Sequence, residues 1–328
     1  MRVLIIHNQY ASPGGEDAVV KAEQKLLTER GHEIAEYTKT NRIIHAVRLL
    51  PLSLTMIWSR SSAKSLSALI RSFKPNIVHI HNTFISISPS VYSVCKQYNV
   101  PVVQTFHNFR LLCPSALLFR DGHVCDECIG KLLPISGIIH GCWRNSRLGT
   151  ASVGIMLLVH KILKTWHKKV DLYIALTEFS KNKLVQGGFN SNKIYVMPNF
   201  VEEDHIHLVN KSTFNKMGMY AIYVGRLSPE KGVDVLVEAW KNVPHIPLKI
   251  VGVGPLEARI IETLSTRNYP ATEYLGYKSQ CHVLELIADA NFLVLPSCCY
   301  ENFPLVIVEA FSLGIPVIAS RLGAMTEI

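Results

Sequence analysis

Short apolar runs alternate with longer segments of helical period along most of this chain, and that alternation narrows the fold more than any other feature. Arg2–His7 reads as a buried strand, Glu16–Arg30 as a helix, Asn76–Ile80 as a strand and Ser88–Tyr98 as a helix. Val100–Phe106 follows as a strand, Gly149–Lys169 as one long helix and Leu172–Ala175 as a strand. Strands separated by helices return to the same end of a sheet and so pair in parallel. A parallel sheet needs helices over both faces, which makes the chain α/β and doubly wound.

The pattern breaks after Pro198-Asn199-Phe200, where residues 201–217 are polar and carry no period, as a linker does. It then resumes. Strands are expected at Met219–Val224, Pro247–Val251, Glu273–Leu275, Asn291–Leu295 and Pro316–Ala319. Helices are expected between them at Val233–Lys241, Leu256–Arg267, Cys281–Ala288 and Phe303–Leu313. The expected organisation is therefore a first domain at 1–200, with a cysteine-containing insertion at 108–145, a linker at 201–217 and a second domain at 218–328. The last eight residues, Arg321–Ile328, follow a strand directly, so the second domain is expected to be incomplete.

A length of 328 residues, 48% hydrophobic and 18% charged, suits two folded domains with cores of their own. The net charge of +9 fits either a solvated basic surface or an anionic partner, which would be a nucleoside diphosphate, a phospholipid surface or nucleic acid. No basic block interleaved with aromatics and no helix-turn-helix, zinc-finger or RNA-recognition pattern occurs, so nucleic acid is not expected. No uncharged apolar stretch reaches the length of a membrane span, and the N-terminus has no small-residue cleavage site. A cytoplasmic protein is the expectation. The apolar segment Ile43–Trp58, with Arg42, Arg48 and Arg60, fits either peripheral attachment to the inner membrane face or a buried helix. Eight unevenly scattered cysteines argue for a reducing compartment rather than a disulfide framework.

Two strand–loop–helix junctions carry the chemistry. In Glu301-Asn-Phe-Pro-Leu-Val-Ile-Val-Glu309, Pro304 suits the first turn of a helix, leaving Glu301 in the loop before it and Glu309 about one and a half turns inside. A loop entering a helix offers free N–H groups to phosphate or a sugar hydroxyl, and a glutamate nearby can accept two ribose hydroxyls. In Val224-Gly-Arg-Leu-Ser-Pro-Glu-Lys-Gly232, Gly225 lets the backbone turn, Arg226 can grip phosphate in a planar fork and Lys231 adds a point charge. Together they can neutralise a departing diphosphate.

These junctions, with Gly14-Gly15 and Thr105-Phe106-His107-Asn108, resemble the retaining glycosyltransferase family 4 over nearly the whole chain. The resemblance implies a GT-B fold, two Rossmann-like domains facing a cleft, and a nucleotide-sugar donor with a glycan or lipid-linked acceptor. It implies that Arg226 and Lys231 bind the diphosphate, that Glu301 meets the donor sugar and that Glu309 holds the ribose. Backbone N–H groups of Asn302 and Phe303, beside Pro304, would cradle sugar and phosphate, Gly14 and Gly15 would lie near the diphosphate and acceptor, and His107 would approach the donor sugar.

None of the seven Asp residues lies two positions from another, so the Asp-x-Asp metal clamp of other glycosyltransferases is missing and metal-free catalysis is expected. Cys113, Cys125, Cys128 and Cys142 have the spacing of a structural zinc clip or are ordinary thiols. His79 and His81 share one face of a strand, but with no acidic or third histidine ligand evident beside them they are read as structural. The rival readings are a sugar-nucleotide epimerase of the same architecture and a catalytically silent sugar-nucleotide-binding subunit. A nicotinamide dehydrogenase is disfavoured, because Gly14-Gly15 lacks the third glycine of the dinucleotide fingerprint.

Overall fold

The computed structural model describes residues 1–10, 14–41, 54–202, 219–266 and 271–328. Nearly all of the expected linker, and most of the apolar segment read as a membrane contact, lie outside these residues. The chain divides into two compact units, one of residues 1–118 and 125–199, the other of residues 119–124 and 200–328.

In the first unit, β1 (Arg2–Gln9) leads into α1 (Gly15–Glu29), β2 (Glu33–Thr40), α2 (Arg60–Phe73), β3 (Ile77–Asn82), α3 (Ser90–Gln97) and β4 (Val102–Phe106). A two-residue hairpin pair, β5 (Phe119–Arg120) and β6 (His123–Val124), belongs to the other unit. The first unit continues with α4 (Ile135–Ile139), α5 (Arg147–Ile162), α6 (Thr165–Lys169), β7 (Leu172–Ala175), α7 (Glu178–Gln186) and β8 (Ile194–Val196). Its six strands are all parallel, in the order β2-β1-β3-β4-β7-β8. β1 is central and its Val3–Asn8 are buried without interruption, as a strand covered on both faces must be.

The second unit runs β9 (Ala221–Val224), a single 3-10 turn at Pro229–Lys231, α8 (Val233–Trp240), β10 (Leu248–Val251), α9 (Glu257–Thr266) and β11 (Thr272–Gly276). It ends with α10 (Gln280–Ala288), β12 (Phe292–Leu295), α11 (Leu305–Ser312) and β13 (Val317–Ala319). Five parallel strands take the order β11-β10-β9-β12-β13. Helices α8 and α9 cover one face around Tyr223, Leu236 and Trp240, and α10 and α11 cover the other around Ile222, Ile287 and Ile307. Both units are thus Rossmann-like parallel sheets of the GT-B type.

Beyond the added elements α2, α4, α7, β8 and the β5–β6 pair, which were not among those expected, the structure departs from the expected elements in three places. The long helix at 149–169 is two helices, because Lys164 takes a left-handed conformation (φ 50°) between α5 and α6. Strand β2 is masked by its charge: it carries Glu33, Glu36 and Lys39, and as an edge strand it has no fully buried residue. Pro304 stands before α11 as its cap residue, with an extended ψ of 113°, rather than in its first turn.

Candidate functional site

In an open α/β sheet, ligands bind beyond the carboxyl ends of the strands where the strand order reverses. In the second unit that point lies between β9 and β12. The loops leaving these two strands contain Gly225–Lys231 and Pro296–Glu301.

A close backbone approach joins the two loops. The Cys298 N–H donates to the Glu230 carbonyl at 2.9 Å. Gly232 has φ +68°, and a Cβ there would meet the Pro296 carbonyl oxygen at 2.1 Å, so this position admits only glycine. The approach delivers Lys231 to Glu301: its Nζ donates to Glu301 Oε1 at 2.6 Å. Ser297 Oγ donates to the same oxygen at 2.6 Å. Burial opposes the charge on Lys231, but the Glu301 carboxylate outweighs it and holds the ammonium above the ordinary lysine range. Beneath the pair, burial pushes the Cys299 thiol up to about 12, with Glu301 adding to the shift, so this cysteine is a neutral packing group.

Arg226 is held differently. Its guanidinium pairs with Glu230, and its Nε donates to Ser228 Oγ at 3.2 Å, while Ser228 Oγ donates to Glu230 Oε1 at 2.7 Å. Arg226 has 58% of its side chain exposed while Glu230 is buried, so the fork stays at the surface on a fixed base. Burial works against the Glu230 charge, yet Arg226 holds its carboxyl below the usual glutamate range. Gly225 does not take a left-handed conformation, and a Cβ there would meet the Tyr223 hydroxyl at 3.0 Å.

Asn302 and Phe303 lie in the loop between Glu301 and Pro304. Glu309 sits one turn inside α11, with Gln280 Nε2 of α10 at 3.5 Å from its Oε1. The structure brings Lys231 and Glu301 into direct contact, whereas Arg226 and Glu309 each hold other partners.

In the first unit the order reverses between β1 and β3. Gly14 is the cap residue of α1 with an extended backbone (φ −134°), and Gly15 is the first helical residue. Neither glycine needs a left-handed conformation, and among the described residues a Cβ at Gly14 would meet nothing within 4 Å. The Gly14 N–H donates to Asp17 Oδ2 at 2.9 Å, and Asp17 Oδ1 accepts from His7 Nε2 at 2.8 Å. His7 Nδ1 stands 3.7 Å from Glu16 Oε1, and neither of these buried atoms has a hydrogen-bond partner. Burial pushes the Glu16 carboxyl up to about 7, although His7 and the Tyr10 hydroxyl, which donates to Glu16 Oε2 at 2.9 Å, draw it down.

His107 follows β4 and does not stand alone. Its Nε2 lies 2.9 Å from His81 Nδ1, with the two rings stacked at 5.2 Å. Burial and the neighbouring histidines push the His107 imidazole well below its ordinary range, so it is neutral. The structural reading of His79 and His81 rested on the absence of an acidic partner, and the structure supplies one. Glu23 Oε2, from α1, lies 3.4 Å from His79 Nδ1 and 3.3 Å from His81 Nε2, and His107 supplies a third imidazole. A glutamate two turns inside a helix gives no sign in the sequence of which strand it will face.

None of the eight cysteines is in a disulfide. Burial pushes Cys128 up to about 11, and Cys113, Cys125 and Cys142 add to the shift, so the four stand near one another. Among the described residues, Glu23, His79 and His81 each bring a metal-ligating atom to within 4.8 Å of the others.

Similarity to known proteins agrees with this arrangement. Residues 13–205 match the model of Glycosyltransferase Family 4, and residues 205–328 match that of Glycosyl transferases group 1. An uncharacterized 42.6 kDa protein of a cps region in Klebsiella pneumoniae is 25% identical across all of this chain and 87% of its own length. Sulfoquinovosyl transferase SQD2 of Arabidopsis thaliana is 24% identical over 85% of this chain and 48% of its own. Among solved structures, Anabaena HepE in complex with UDP and glucose is 17% identical, with a TM-score of 0.64 over 100% of this chain and 82% of that one. Sucrose-phosphate synthase of Thermosynechococcus elongatus is likewise 17% identical, with a TM-score of 0.66 over 99% and 82%. These two likenesses speak to the fold, and the family model speaks to the chemistry: the chain belongs to glycosyltransferase family 4 and is an enzyme of the glycosyltransferase class.

Proposed function

We propose that this enzyme moves a sugar from a nucleoside-diphosphate sugar to a glycan or lipid-linked acceptor, with retention of anomeric configuration and without a metal ion on the diphosphate. The observation that carries the reading is the Lys231–Glu301–Ser297 contact at the switch point of the second sheet, beside the exposed fork of Arg226. Without ligand, Lys231 and Glu301 neutralise each other. A bound donor offers both a better partner: sugar hydroxyls for the Glu301 carboxylate and phosphate oxygens for Lys231 and Arg226. As the glycosidic bond breaks, charge grows on the diphosphate, and these two cations stabilise it most at that moment. Glu309 is assigned to the ribose, and the N–H groups of Asn302 and Phe303 to the sugar and phosphate. His107 is assigned to the donor sugar, and Gly14 and Gly15 to the neighbourhood of the diphosphate and acceptor.

Retention follows when the acceptor attacks the face the diphosphate leaves, and the departing phosphate itself takes the acceptor proton. The basic charge of the chain suits work at the inner face of a membrane on a lipid-linked acceptor. HepE was solved with UDP, which makes uridine diphosphate sugars the first donors to test.

Release of free nucleoside diphosphate together with a new glycosidic bond is the expected result. Release with no new bond, or interconversion of free sugar nucleotides, would favour the epimerase reading. Donor binding without turnover against any acceptor would favour the silent subunit. Lys231→Ala is expected to lower kcat by about 10²–10³-fold with donor affinity less affected. Glu309→Ala is expected mainly to weaken donor binding, measured by calorimetry. Restoration of chelator-treated enzyme by millimolar magnesium would overturn the metal-free diphosphate step.

A further inference from the structure

The Glu23–His79–His81 group lies beneath the switch point of the first sheet, and no step of the proposed transfer uses it. Its three facing atoms come from two elements, α1 and β3, and all three side chains are at least largely buried: His81 is 0% exposed, His79 11% and Glu23 15%. One carboxylate oxygen stands 3.3 Å from one imidazole nitrogen and 3.4 Å from the other. These distances are too long for good hydrogen bonds to a carboxylate, and His81 Nε2 is a buried nitrogen with no hydrogen-bond partner. They do match the edge of a coordination tetrahedron: metal–ligand bonds of about 2.0–2.1 Å place neighbouring ligand atoms about 3.3–3.4 Å apart.

The far side of each imidazole is already arranged as a ligand histidine requires. His79 Nε2 lies 2.8 Å from Thr105 Oγ1, and His81 Nδ1 lies 2.9 Å from His107 Nε2. Metal-ligating histidines commonly donate their other N–H to an acceptor of this kind, which fixes the ring and its tautomer. Two neutral imidazoles and one carboxylate, with a fourth position open, are a donor set for zinc or a similar divalent transition metal.

We propose that Glu23, His79 and His81 bind a divalent transition-metal ion of the zinc type. Binding at His81 Nε2 keeps the proton on Nδ1, which then donates to His107 Nε2 and leaves the proton of His107 on its own Nδ1. The ion thereby sets the tautomer of a residue at the end of β4 from one layer below.

Cobalt(II) chloride titrated into the chelator-treated protein reports the site by its visible d–d bands, and zinc should displace it. The expected result is one equivalent bound in a four-coordinate spectrum without thiolate charge-transfer absorption, and a rise in Tm with zinc. Glu23→Gln, close in shape to the native side chain, should weaken cobalt binding by about 10-fold or more, and His81→Gln likewise. A thiolate charge-transfer band, or binding that Glu23→Gln and His81→Gln leave unchanged, would assign the ion to the cysteines or the surface and overturn the proposal. No binding at millimolar cobalt to the folded protein, confirmed by circular dichroism, would also overturn it.

Discussion

At the scale of the residue, what distinguishes Lys231 and Glu301 is that each is the other's counter-charge. Removing one should therefore harm the free protein as well as the reaction. Glu301→Gln leaves Lys231 half-buried without its carboxylate, and its ammonium should titrate lower than in the native protein, read from the pH dependence of donor binding. Glu16 provides a second test. Its folded carboxyl sits at about 7 against 4.5 in the open chain. Between these values the folded state keeps a proton that the unfolded state has lost, so the stabilisation is full below the lower value and disappears as pH rises through the upper one. The loss is at most about 3 kcal/mol. The native Tm should fall relative to Glu16→Gln from about pH 5 to pH 8, and a constant difference between the two would refute the buried proton. Arg226, Lys231 and Glu301 were legible in the sequence because each lies within a few residues of a glycine or proline that marks a junction. Glu23 was not legible, since its meaning depends on His79 and His81 arriving from another element.

At the scale of the element, the loops that follow β9 and β12 depend on one glycine. Gly232→Ala would place a Cβ into the Pro296 carbonyl and force a left-handed backbone on alanine. A loss of about 2–4 kcal/mol in denaturant unfolding is expected, together with weaker donor binding as Lys231 moves away from Glu301. Helix α2 offers a milder case: Ser59 caps it by accepting from the Ser62 N–H at 3.2 Å, so Ser59→Ala should cost about 1 kcal/mol without changing donor affinity. Most helices and interior strands could be read from period, although α2 and α7 were not. The break at Lys164 could not, because a left-handed lysine leaves no mark in composition, and the edge strand β2 reads as polar because none of its residues is fully buried.

At the scale of the whole molecule, the two units have separate sheets and separate cores. A nucleoside diphosphate that binds the second unit should raise that unit's unfolding transition, by about 2.7 kcal/mol at a hundredfold excess over Kd. Scanning calorimetry with and without uridine diphosphate would show it, and an equal rise of the whole endotherm would mean that the units melt as one.

The strand orders carry a consequence for synthesis. In β2-β1-β3-β4-β7-β8, and again in β11-β10-β9-β12-β13, every strand after the first joins an outer edge of what the ribosome has already released, and none must be inserted between two strands already paired. Parallel pairing is slow because its partners are distant in sequence, and unpaired edges invite association while they wait. Here each new strand covers the edge left by its predecessors, so a nascent chain can lengthen its sheets in the order of translation without undoing anything it has made.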